Sequence, residues 1–360
     1  MPINNNNLDK LNLDISSIFS EYQPSENDSS DILSKSLRLK KKIEMADKTI
    51  DYLGQDLLTT FIRQGIEFGI FQNIAQYHPN VKELLDKISY PNKQFILEFV
   101  KTGANIGIIN YSDGKLSMNE DFEIKIKMPE FDKIISDYVM KYTYITHVAK
   151  YALISSKHPK IAINFKKDPD IWDMILSSPY YHLCREISTL ATNLECDDCI
   201  LDVGCGSWSP YYYIGHVHLI GHYTGIDISK GLIEIAKNRV KRRYFDSYDL
   251  RAMDFYDMAP KEKYSLIICS HTLRYLPSLK TFIKKSMNSL VPGGRLFIME
   301  EYFADKFDPI KNELFTFYNK LNDRFVKYYE VNEIINTLDS LGYDYKIKLL
   351  GNSCLTIEKI

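Results

Sequence analysis

The sequence predicts an α/β protein: a smaller helical unit carrying a β-hairpin comes first, and a doubly wound parallel sheet that ends in an antiparallel hairpin follows. Three observations carry that expectation. Ile200 to Gly206 reads I-L-D-V-G-C-G, an apolar strand running into a glycine turn; strands and helices then alternate five times; and Leu57 to Phe71 repeats apolar residues at helical spacing.

The first observation organises the chain. Ile200 to Val203 suits a buried parallel strand, and Gly204 and Gly206 let the backbone turn where a side chain would collide with a ligand. A helix is expected over Pro210 to Ile220, then the strand Tyr223 to Asp227 (Y-T-G-I-D) and a helix over Gly231 to Val240. An acid ending the second strand about 20 residues past the glycines is where α/β nucleotide sites hold ribose hydroxyls, which makes Asp227 the expected ribose ligand. The competing role is a helix cap, although Ser229 can cap that helix alone. Leu250 to Asp254 closes a third strand, Tyr264 to Cys269 is a fourth, and Leu290 to Glu300 (L-V-P-G-G-R-L-F-I-M-E) turns into a fifth. Tyr345 to Leu350, the Gly351-Asn352 turn and Leu355 to Lys359 form the terminal hairpin.

Upstream, Phe71 to Tyr77 and Val81 to Ile88 are two short helices, and Pro91 opens another through Val100. Ile106 to Tyr111 and Lys115 to Met118 flank a Ser112-Asp113-Gly114 turn, which gives the small hairpin. Phe131 to Ser188 is helical and rich in tyrosine. The predicted divisions are a flexible segment 1–45, a winged-helix-like unit 46–125, a helical linker and cover 126–188, and the α/β domain 189–360. The asparagine-rich opening has little to bury.

With 45 basic against 47 acidic residues the net charge is −2, which argues against a dedicated nucleic-acid binder. No apolar run reaches the roughly 18 residues of a membrane span, and the start M-P-I-N-N-N-N lacks the order of a secretion signal, so a cytoplasmic protein is expected. The pair Cys196 and Cys199 lacks a second ligand pair for zinc, and His216, His218 and His222 do not share one helical face. No metal is expected.

The glycine spacing separates two cofactor classes. The dinucleotide pattern G-x-G-x-x-G lacks its last glycine here, whereas Asp202, Gly204 and Gly206 form D-x-G-x-G, which resembles motif I of the class I S-adenosylmethionine-dependent methyltransferases. Trp208 stands where that family commonly has a third glycine. The resemblance implies a Rossmann-like seven-stranded core and S-adenosylmethionine as cofactor. It places Asp254 and Phe255 at the adenine and Ser270 in the cofactor site.

Helices, a β-wing and this core in that order, with I-E-F-G-I-F at Ile66 to Phe71 and D-M-I-L-S-S-P at Asp173 to Pro179, resemble the winged-helix-containing small-molecule O-methyltransferases of the caffeic-acid and bacterial polyketide type. That resemblance implies a homodimer, with a small, hydroxylated, aromatic substrate walled by some of Tyr138, Tyr142, Tyr180 and Tyr181. The family's H-D-W histidine and aspartate align with Arg274 and Tyr275 in S-H-T-L-R-Y-L-P, and arginine is no base at neutral pH. His271 is therefore the candidate base, Glu300 matches the family's acid after the fifth strand, and Glu301 is expected on the opposite face. Two other functions stay open: a protein of this fold that binds S-adenosylmethionine without transferring its methyl, and a winged-helix regulator that binds DNA. Against the regulator, the helix P-N-K-Q-F-I-L-E-F-V-K-T offers only Lys93 and Lys101 beside Glu98.

Overall fold

A computed structural model describes residues 29–122, 133–154, 164, 166–217, 221–241, 247–260 and 263–360. They fall into two compact units. Among the described residues, one comprises those within 49–164 and 307–328, the other those within 29–48, 165–306 and 329–360.

The helical unit takes its elements from both ends of that list. Helix α1 (Ser29–Glu67) enters it from residue 49, burying Ile50, Leu53, Leu57 and Phe61 along one stripe. Gly69, at φ 70°, breaks the path before α2 (Ile70–Tyr77). The segment predicted as one helix over Leu57 to Phe71 is thus two helices. Helix α3 (Val81–Lys87) starts with a capping box between Asn80 and Glu83, and α4 (Lys93–Asn105) with Asn92 accepting from the Phe95 N–H at 3.0 Å. Strands β1 (Ile109–Ser112) and β2 (Lys115–Met118) pair antiparallel, and α5 (Lys133–Ala152) follows. Phe99 stacks on Phe61 at 4.0 Å between ring centroids, with Phe68, Phe71 and Phe317 against it. Phe317 belongs to a later segment, which is described below.

The predicted flexible segment 1–45 is helical from Ser29 onward. Ile43 and Ala46 are buried one turn apart, and a Cβ on Gly351 would press against Ile43 and Asp47, so this part of α1 is anchored on the terminal hairpin. Residues 1–28 lie outside the described residues.

The α/β unit continues with α6 (Pro169–Leu176) and α7 (Pro179–Ala191), then β3 (Cys199–Val203), α8 (Ser209–Val217), β4 (His222–Asp227), α9 (Lys230–Lys241) and β5 (Tyr248–Ala252). Strand β6 (Tyr264–Ser270), α10 (Leu279–Ser289) and β7 (Leu290–Met299) come next. Helix α11 (Pro309–Asn319) belongs to the helical unit and supplies Phe317. The chain returns with α12 (Val331–Leu341), β8 (Tyr345–Leu350) and β9 (Cys354–Lys359). The sheet order is β5-β4-β3-β6-β7-β9-β8, parallel from β5 to β7, with β9 antiparallel to β7 and β8 antiparallel to β9. Central strands buried on both faces explain the unbroken apolar runs of the sequence. Helices α6 and α7, predicted as part of a linker, lie in this unit, and 307–328, predicted within the α/β domain, lies in the helical one.

The sheet order reverses between β3 and β6. In open parallel sheets this point leaves a crevice at the carboxyl ends of the two strands, because the connections leave toward opposite sides. The loops that begin at Gly204 and His271 both open onto it. Among the described residues no helix is long and apolar enough to cross a membrane, and no three metal-ligating side chains cluster.

Phe99→Ala should cost about 3–5 kcal/mol, the range for emptying a buried aromatic site. A urea denaturation midpoint checks it, and a loss below about 1 kcal/mol would show that the ring cluster is not the core of the helical unit.

Candidate cofactor and active site

Asp202, at the end of β3, is buried and accepts the Tyr223 hydroxyl proton at 2.7 Å. Burial pushes its carboxyl up to about 7, against the Tyr223 hydrogen bond, with the charge of Asp227 adding to the rise. The backbone then turns through Gly204 at φ 74° and Gly206 at φ 58°. A Cβ on Gly204 would overlap the Thr272 side chain, so the loops after β3 and β6 meet there. Gly204 and Cys205 donate to the Ile226 carbonyl at 2.8 and 3.0 Å.

Asp227 ends β4 and is 9 % exposed. One oxygen accepts from the Gly206 N–H at 3.0 Å and the other from the Ser229 N–H at 2.8 Å. Burial raises its pKa and those two N–H donors oppose the rise. The two roles weighed for Asp227 are therefore not exclusive: it anchors the start of α9 and the glycine turn, and each oxygen keeps a second acceptor site for a hydroxyl. Ser229 Oγ accepts from the Leu232 N–H at 3.4 Å.

Asp254 accepts from the Tyr256 N–H at 3.0 Å, and a short 3-10 turn follows at Phe255–Asp257. Phe255 does not offer the expected aromatic face. It is 3 % exposed and packs against Phe282 at 5.4 Å, because the 3-10 turn directs it into the core shared by Leu201, Ile267 and Ile298.

At the end of β6, Ser270 Oγ lies 3.1 Å from Nδ1 of His271. His271 sits at φ 54°, in the left-handed region, with its N–H donating to the Met299 carbonyl at 2.6 Å. Its ring meets Tyr180 and Tyr181 edge-on, at 5.8 and 5.1 Å between centroids. Both tyrosines open α7 and are buried. Of the other expected substrate tyrosines, Tyr142 lies in the helical unit, buried against Phe315, and the Tyr138 side chain lies outside the described residues.

Arg274 is almost fully enclosed, and its Nη1 donates to Glu300 at 2.8 Å and to Glu301 at 3.0 Å. Its backbone N–H also donates to Glu300, at 3.3 Å. Glu301 is therefore on the same side as Glu300, contrary to strand alternation, because β7 ends at Met299 and the chain bends there. Burial pushes the Glu300 carboxyl up to about 7; Arg274 opposes this and Glu301 adds to it. The two carboxylates thus hold the Arg274 guanidinium beside the loop that carries His271. The link from Glu301 was not legible in the sequence, since it depends on the bend after β7.

Residues 201–298 match a family described as a methyltransferase domain. The uncharacterized protein MJ0906 of Methanocaldococcus jannaschii is 58% identical over 330 residues, covering 92% of this chain and 90% of its own. The chain belongs to the MJ0906 family. It is an S-adenosylmethionine-dependent methyltransferase. The malonyl-[acyl-carrier protein] O-methyltransferase of Priestia megaterium is 31% identical over 133 residues, 37% of this chain, and the chain spans about half of that enzyme's length, 47%. Among solved structures, the citrinin polyketide synthase CMeT domain superposes with a TM-score of 0.56 at 12% identity, over 92% of this chain and 97% of its own; at that identity the likeness concerns the fold.

The residues at the crevice fit the cofactor. Gly204 and Gly206 turn at positive φ, where a Cβ would meet Thr272 and Leu176, and Asp227 retains acceptor capacity for hydroxyls.

Because Asp202 binds its proton more tightly folded than in an unfolded chain, where its value is 3.8, folding stability should fall as pH rises from about 4 to about 7. Glu300, raised from 4.5, adds a loss of the same sign. Asp202→Asn should remove its share and flatten the profile, measured as melting temperature from pH 4.5 to 8. An unchanged slope would mean that Asp202 does not carry the buried proton.

Proposed function

We propose that this enzyme methylates a hydroxyl of a small, aromatic metabolite, with His271 as general base. The observation that carries this reading is the placement of His271, held in a left-handed backbone conformation at the cofactor crevice and flanked by the rings of Tyr180 and Tyr181. Aromatic rings beside the base suit an aromatic substrate, which gains by edge and face contact.

Asp227 and the Gly204–Gly206 turn would hold S-adenosylmethionine, which when bound supplies an electrophilic methyl group. His271 has two ring nitrogens with distinct tasks. In the tautomer whose Nδ1–H donates to Ser270 Oγ, the lone pair of Nε2 would accept the substrate hydroxyl proton. Arg274, Glu300 and Glu301 hold the residues after His271 in place. Positioning of this kind supplies much of the rate in a displacement, because the reacting atoms must lie in line with water excluded.

The helices and hairpin of the helical unit support a winged-helix-like reading, and a homodimer is what the resemblance to the winged-helix O-methyltransferases implies. A second function, in which the cofactor is bound and the methyl retained, is favoured by one observation: Arg274 and Tyr275 occupy the positions of the family's histidine and aspartate, and Arg274 is committed to Glu300 and Glu301.

His271→Asn is the informative substitution, since asparagine tolerates a positive φ and the fold is kept. Turnover on a phenolic substrate should fall by about 10² to 10⁴ while cofactor affinity stays unchanged, a result that kinetics and calorimetry separate. Full activity with weakened cofactor binding would place His271 in the cofactor site instead. Wild-type protein that binds S-adenosylmethionine and methylates no phenol, catechol or hydroxyquinone would favour the second function.

Asp227→Ala should weaken binding of S-adenosylhomocysteine by about 1–3 kcal/mol in calorimetry, through loss of a charged acceptor. Unchanged affinity would remove Asp227 from the cofactor site.

A further inference from the structure

The glycine turn is held from two sides. On the inner side Asp227 accepts from the Gly206 N–H, as any ribose-binding acid at this position could. The outer side is unusual. Trp208 stands where a third glycine is common in the resembling family, and a bulky ring on a cofactor loop has to be kept out of the way.

Two charged side chains from separate helices do that. Asp173 of α6 accepts from Ser207 Oγ at 2.6 Å, and its backbone carbonyl accepts from Trp208 Nε1 at 3.2 Å. Arg239 of α9 donates from Nη2 to both Asp173 oxygens at 3.0 and 3.1 Å, and from Nη1 to the Ser207 carbonyl at 2.6 Å. Its guanidinium carbon lies 3.8 Å from the centroid of the Trp208 ring, a stacked cation–π contact. One turn along α6 from Asp173, Leu176 comes within 2.7 Å of where a Cβ on Gly206 would be. Helix α6 thus grips the outer half of the turn with one polar and one apolar side chain. The Asp173 and Arg239 side chains are only 25% and 19% exposed, so water screens the pair less than at an open surface.

We propose that Asp173, Arg239 and Trp208 form a latch that positions the glycine turn for S-adenosylmethionine, so that cofactor affinity depends on residues distant from the reacting atoms. The latch rests on the cofactor reading above and extends it to three positioning residues. Arginine is required rather than a cation in general: only its planar fork satisfies two carboxylate oxygens and a carbonyl while stacking on an indole.

The test uses the full chain, with S-adenosylhomocysteine as the probe. Arg239→Lys and Asp173→Asn should each raise its dissociation constant by about tenfold, and the double variant should be no weaker than about tenfold, because both changes open one latch. The ligand-free melting temperature should move by no more than a few degrees in each single variant, as expected for a partly exposed pair. If either single variant fails to fold, Ser207→Ala, which leaves the ion pair intact, should raise the dissociation constant by about threefold, the loss of one modest hydrogen bond. Unchanged affinity in these variants, or a double variant whose loss is the product of the single ones, overturns the latch. Wild-type protein that binds neither S-adenosylmethionine nor S-adenosylhomocysteine overturns the cofactor reading itself, and the two failures are thereby told apart.

Discussion

The crevice depends on a close approach between two loops that residue 204 permits by having no side chain. Thr272, from the loop after β6, fills the space a Cβ would take, and the same residue needs a positive φ to end β3. Steric room and backbone conformation therefore select glycine independently. Any larger residue would push the loop after β6, and His271 with it, away from the glycine turn. The remaining geometry of the site follows from that contact and from the sheet reversal that brings β3 beside β6.

Around this contact the chain buries more charge than a core usually tolerates. Asp202, Asp227, Arg274, Glu300 and Glu301 are all at most 9 % exposed. Each is held by specific partners, because a buried charge without them costs several kcal/mol. Replacing such groups by apolar ones is often neutral or stabilising, so their presence points to function rather than stability. Arg274 illustrates the trade: two carboxylates share one guanidinium, and burial raises the Glu300 pKa, with Arg274 opposing the rise and the Glu301 charge adding to it.

The helical unit follows a different logic. Its centre is a cluster of phenylalanine rings from α1, α2, α4 and α11, and its few buried polar groups serve to close helix ends or to pair within the core. Gln64 is one example: it donates to the Thr146 carbonyl at 2.7 Å and accepts the Tyr318 hydroxyl proton at 2.8 Å. Asn319 is another, donating to the Tyr328 hydroxyl at 3.0 Å and to the Phe315 carbonyl at 2.9 Å. Helix α11 comes from between β7 and α12, so the chain leaves the α/β unit to complete this core and then returns.

Taken alone, the sequence determined the strands, their order along the chain, and the acids and glycines at their ends. These features are local: a buried parallel strand reads as an apolar run, a turn as glycine, and a hairpin as Gly351-Asn352 between alternating residues. Tertiary structure decided what local patterns do not encode. Phe255 follows a strand end and looks like a ligand face, yet a 3-10 turn directs it into the core. Glu301 follows Glu300 and should alternate away, yet the end of β7 brings both carboxylates to Arg274. Residues 307–328 sit within the second half of the chain and pack with the first, and Asp173 and Arg239 meet across 66 positions to hold Trp208. Such pairings arise from contacts between elements distant in sequence, and those contacts exist only once the sheet and its helices have fixed which faces meet.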